Sequence, residues 1–153
     1  MKAQTALGLL LSVFSSVALA AAPEIKIATA AAKYFPEVSW RVDSVLSGDF
    51  SCHGRKEWAI LGTNATDVVV AIFLHGASKN PEILRFRPRV LDSAITKLEV
   101  YSLDLDPSPD LGYKLPGFYR SKICKGLSID DGRPDPSNIY WNHDSHKFEA
   151  WSY

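Results

Sequence analysis

Seven consecutive apolar residues, Val68-Val69-Val70-Ala71-Ile72-Phe73-Leu74, follow the turn tetrapeptide Asn64-Ala65-Thr66-Asp67. The run carries no polar position at either a two-residue or a 3.6-residue period, and it is short for a globular helix. It therefore reads as a central strand buried on both faces. Such a strand needs paired neighbours and cover on each side, so the rest of the chain has to supply a sheet and something packed upon it.

The flanking sequence supplies both. Residues 24–35 hold Ala28, Ala30, Ala31 and Ala32 among Ile25, Ile27, Tyr34 and Phe35 and stop at Pro36, which predicts one short N-terminal helix. Residues 40–47 lead into Gly48, and residues 57–62 leave the segment that follows, so a hairpin is expected there. Segments 82–87 and 97–103 alternate as two further strands, with 89–95 as a helical or irregular link. Pro107, Pro109, Gly112 and Pro116 make 104–116 the longest loop, expected to lack regular structure. Strands resume over 121–129, 139–142 and 147–153, the last two forming a C-terminal β-hairpin about His143-Asp144-Ser145-His146. No segment repeats. The fold class predicted is α+β, predominantly antiparallel β: a single domain over 21–153, read most economically as one sheet with the helix on one side.

Residues 1–20 combine Lys2, an apolar stretch through Leu7, Leu9, Leu10, Leu11, Val13 and Phe14, and the small-residue ending Ala18-Leu19-Ala20. This is the pattern of a secretory signal peptide cut after Ala20, and it predicts a periplasmic or secreted product. Removing 20 residues from 153 leaves 133, with 16 basic and 17 acidic side chains. A charge so close to zero argues against nucleic acid or a membrane surface as partner. No other segment approaches the roughly 20 apolar residues of a membrane span.

The two cysteines, Cys52 and Cys124, stand 72 residues apart. In an oxidising compartment they are expected to pair, stabilising the fold by about 4 kcal/mol. The alternatives are two buried thiols or a reactive cysteine, and the absence of a Cys-x-x-Cys motif weighs against a redox role.

Cys52 lies inside the segment Gly48-Asp49-Phe50-Ser51-Cys52-His53-Gly54-Arg55-Lys56-Glu57-Trp58-Ala59-Ile60-Leu61. Its spacing places Asp49, Ser51, His53, Gly54 and Glu57 at positions one, three, five, six and nine of an Asp-x-Asp-x-Asp-Gly-x-x-Asp loop. The segment resembles the FG-GAP or VCBS-type calcium-loop repeats of integrin propellers and bacterial extracellular proteins. That resemblance implies calcium ligation only at Asp49 and, by position, Glu57. Ser51 and His53 replace carboxylates, and a hard cation prefers oxygen, so a metal-free turn held by the disulfide is expected instead. With Leu115-Pro116-Gly117-Phe118-Tyr119-Arg120-Ser121-Lys122-Ile123-Cys124 and Ile139-Tyr140-Trp141-Asn142-His143, the whole chain also resembles a group of small exported bacterial proteins, a likeness that implies export and brings no activity.

Three further constellations carry chemistry. Arg85, Arg87 and Arg89 alternate, so in an extended segment their guanidinium groups emerge from one face, either as an anion-recognition strip or as the solvated side of an edge strand. Trp141 and Trp151 crowd the C-terminal hairpin with Tyr140, Phe148 and Tyr153, completing the core on one face and offering aromatic surface on the other. His143 and His146 read either as solvated turn residues or as ligands or bases that need a further group, with His53, His75 or one of Asp130, Asp131 and Asp135 as candidates. No Gly-x-Ser-x-Gly elbow accompanies them. Together these features predict a non-catalytic binding module without a cofactor. Its partner is an envelope glycan or protein, inhibition of an enzyme being one version, and the alternative is a hydrolase using a histidine of the C-terminal turn.

Overall fold

The computed structural model describes residues 22–87, 95–132 and 134–153. The signal segment read at 1–20, Arg89 and most of the 89–95 link lie outside them. Helix α1, Pro23–Tyr34, begins with Pro23 in its first turn and Glu24 beside the free N–H groups, carries Lys33 in its last turn, and ends before Pro36. Its buried face is Ile27, Ala28, Ala30 and Ala31, small side chains that let it lie close on a sheet.

Two antiparallel sheets follow in sequence order. In the first, β1 (Ser39–Trp40) and β2 (Leu46–Gly48) both pair with β3 (Glu57–Thr63), which pairs with β4 (Val68–Phe73), which pairs with the edge strand β5 (Glu82–Phe86). One 3₁₀ turn at Val42–Ser44 separates β1 from β2, and there Ser44 Oγ accepts the Leu61 N–H at 2.9 Å. The second sheet is a meander of β6 (Lys97–Leu103), β7 (Ser121–Asp130), β8 (Ser137–Asn142) and β9 (Lys147–Trp151).

Every residue of β4 is buried, as its composition requires, and alternation divides them. Val68, Val70 and Ile72 face the second sheet, meeting Leu98, Leu127, Ile129, Ile139, Trp141 and Phe148 around Phe50. Ala71 and Phe73 face the other way and pack with Ile60 against the helix. The expected helix, strands and C-terminal hairpin are all present. The single sheet is corrected to two, because the cover on the second face of β4 is itself a sheet whose inward residues recur at every second position.

The outer face of the second sheet is covered by the long loop, where Leu103, Leu115, Cys124, Tyr140 and Trp151 form a third apolar cluster with Tyr101 and Phe118 at its margin. The prolines do not forbid all structure there. Ser108–Leu111 forms a single helical turn, α2, with Pro109 in its first positions, and Gly112 closes it at φ 73°. Within the sheet Tyr101 pairs with Gly126, and a Cβ on Gly126 would come within 2.1 Å of the tyrosine ring. The glycine is what allows Tyr101 to lie across β7.

Candidate functional site

The calcium-like segment folds into a loop between β2 and β3 that its own N–H groups saturate. One carboxylate oxygen of Asp49 accepts the His53 N–H at 3.0 Å and the other the Gly54 N–H at 2.9 Å. Glu57 is fully buried; its Oε2 accepts the N–H groups of Phe50 at 3.0 Å and Ser51 at 2.8 Å, while Oε1 accepts the Ser51 hydroxyl. The loop's own donors thus hold both carboxylates in place, and Ser51 and His53 stand where a calcium loop of this type has carboxylates. Among the described residues no group of three or more His, Cys, Asp or Glu side chains is arranged to hold a metal. Cys52 sits at φ 60° and is bonded to Cys124 on β7, with 5.1 Å between the Cα atoms. Beside that disulfide the Lys125 N–H donates to the Asp49 carbonyl at 2.9 Å, so the loop is fastened to the second sheet twice.

This fastening brings His53 to the C-terminal hairpin. Its ring meets Trp141 edge to face at 5.8 Å, His146 approaches the same indole at 6.5 Å, and His143 stands edge-on to Tyr119 at 4.7 Å. Burial holds the His143 pKa below its ordinary value, and the charges of His53 and His146 press it the same way. His53 Nδ1 lies 2.7 Å from Ser51 Oγ. Since the Ser51 proton is committed to Glu57, Nδ1 is the donor, the reverse of the polarity in a catalytic serine–histidine pair, and Ser51 is fully buried.

The hairpin itself is fixed by a second carboxylate. Glu149 accepts from Tyr140 Oη at 3.2 Å, Asn142 Nδ2 at 2.7 Å and Ser145 Oγ at 3.1 Å. The Tyr140 hydroxyl lies also 2.9 Å from the Pro116 carbonyl, and burial, then the Glu149 charge, raises its pKa. Gly117, at φ 57°, has no room for a side chain: a Cβ would fall 1.9 Å from Asn142 Oδ1.

The remaining expected site residues lie elsewhere. Arg85 binds Glu37 at 3.0 Å and, with Arg87, flanks the nearly buried Asp67 at 4.0 and 3.5 Å; the Arg87 side chain is 88% exposed and that of Arg85 39%, so both also reach the surface. Both arginines line a cleft of about 340 Å³ with Asp131, Ser137 and Ser152. Trp141 and Trp151 are buried on opposite faces of the second sheet, and Trp151 borders a cleft at the start of the long loop. Large apolar side chains that are exposed include Leu105, Tyr113, Tyr119, Ile123 and Tyr153, all in or beside the long loop or at the end of the last strand. Sequence reasoning marked Tyr153 in the aromatic hairpin but gave no role to the others, because a lone tyrosine or isoleucine has no periodic partner to mark its direction.

Comparison of the chain with protein-family models, with curated proteins and with solved structures finds no match.

Proposed function

We propose that this chain is an exported, non-catalytic binding module whose partner is a glycan or protein of the cell envelope. One observation carries the reading. Among the described residues the exposed large apolar side chains Val100, Leu105, Tyr113, Tyr119, Ile123 and Tyr153 gather on the second sheet and its connections, Ile123 beside the disulfide-bonded Cys124. Exposed apolar groups on a rigid support suit binding, since little conformational entropy remains to be lost. Export is supported by the signal-like residues 1–20 and by the disulfide. The degenerate calcium-type loop then serves as a structural turn.

The convergence of His53, His143 and His146 favours one rival, a hydrolase at this end of the molecule. Capture from envelope extract separates the two. The intact protein should retain a partner, and the folded double variant Tyr119→Ser/Ile123→Ser should lose it. Equal capture by both proteins would refute the surface. Cleavage of envelope glycan that disappears in His143→Gln/His146→Gln would establish the hydrolase instead.

A further inference from the structure

Between the start of the long loop and the outer face of the second sheet lies a cleft of about 310 Å³, large enough for a small ligand. Tyr101, Trp151 and Tyr153 give it an aromatic wall, Tyr153 packing edge to face on Trp151 at 5.1 Å, and Asp106, Asp110 and Asn138 complete the lining. Ser108 donates to Asp106 from its backbone N–H at 2.9 Å, and its side-chain and backbone hydrogen bonds, in that order, keep the Asp106 carboxyl below the usual range, so it is an acceptor.

Two buried polar atoms in this wall have no hydrogen-bond partner: Tyr101 Oη and Trp151 Nε1, the latter on a side chain more than nine-tenths buried. The two groups are neighbours: burial pushes the Tyr101 pKa up to about 12, and the Trp151 side chain works against that rise. A stranded donor of this kind is uncommon in a folded protein. Glycine at position 126 makes the room for Tyr101 to lie where it does, so the wall is built by the strand pairing.

Resting on the binding reading, we infer that this cleft holds one sugar unit of an envelope glycan. Its C–H face stacks on the aromatic wall, its hydroxyls donate to Asp106 and Asp110, and its oxygens accept from Trp151 Nε1 and Tyr101 Oη. Tyr153, more than half exposed, forms the open side of the cleft. An alkylammonium ion would suit the rings and carboxylates, but it has no acceptor for the indole N–H.

The test follows the Trp151 indole N–H resonance, assigned by its loss in Trp151→Phe, during titration with chitotriose, cellotriose, maltotriose or tetramethylammonium. At least one trisaccharide should shift it saturably and tetramethylammonium should not. Tyr101→Phe should weaken that binding about tenfold while the ligand-free variant melts in urea at or above the wild-type midpoint, because the hydroxyl makes no bond there. No response to any trisaccharide, a response to tetramethylammonium, or a ligand-free Tyr101→Phe variant less stable than wild type would overturn the assignment. Failure here beside successful envelope capture removes the sugar site and leaves the binding module; failure of both removes both.

Discussion

Replacing Glu57 perturbs the loop at its single most connected side chain. The carboxylate is fully buried and receives the Phe50 and Ser51 N–H groups and the Ser51 hydroxyl. Glu57→Ala strands all three donors. At about 1–3 kcal/mol for each buried unsatisfied group, partly relieved by entering water, the expected loss is about 3–6 kcal/mol. That is a large share of the 5–15 kcal/mol that roughly bounds a domain of this kind. Glu57→Gln keeps the shape, but its one amide oxygen can serve only the Phe50 and Ser51 N–H groups while its NH2 faces the Ser51 hydroxyl; two bonds lose their charge and one is lost, at a cost of about 2–3 kcal/mol. With a urea slope of about 1.5–2 kcal/mol per molar, the Gln midpoint should fall by about 1–2 M, and the Ala midpoint further. Equilibrium urea melts followed by tryptophan fluorescence, in chelator and again in millimolar calcium, measure both effects. A Gln variant that melts with wild type would show that the buried carboxylate does not hold the loop. A wild-type midpoint that rises with calcium would show its oxygens exchanging N–H donors for an ion.

Other expectations are independent of that one. Replacing Cys52 and Cys124 together by alanine should cost about 4 kcal/mol in the chain-entropy account, and a midpoint unchanged by reductant would refute it. Because the folded His143 pKa is depressed below 6.5, the unfolded chain takes up the proton first as pH falls. Stability should therefore decline from about pH 6.5 downward until the folded ring also titrates, and His143→Gln should flatten that decline; an identical acid slope in the variant would place the effect elsewhere.

The strands were legible because each is marked locally. The apolar run of β4 is buried throughout, whereas the alternation in 97–103 holds only in part: Val100 is exposed and the register shifts between Ser102 and Leu103. What pairs with what across the core was not, since β4 demands cover on two faces without saying which element provides it. The site followed the same division. The disulfide could be read because only two cysteines were present. The meeting of His53 with Trp141 depends on a loop and a strand some 90 residues apart, joined through β7, and no spacing along the chain encodes it. The arginine alternation was real, but the acids that answer it, Glu37 and Asp67, come from distant positions with no pattern of their own.

Where the acids direct their lone pairs bears on the choice between binding and hydrolysis. Glu57 is spent on the β2–β3 loop and Glu149 on the C-terminal hairpin, while Glu82 accepts the Phe148 N–H at 2.6 Å and ties the edge strand of the first sheet to the second. Burial raises the Glu82 pKa, with the Phe148 hydrogen bond opposing it. Each of these carboxylates collects donors from a turn or strand that would otherwise move, so all three act as fasteners. Asp144, whose charge works against the burial that lowers the His143 pKa, is the acid a histidine base would have to use, because releasing Glu57 or Glu149 would free the very loops that bring the histidines together. The same arrangement is well suited to presenting a fixed surface, on which Tyr119 of the connecting segment and Ile123 of β7, beside the disulfide, stand exposed.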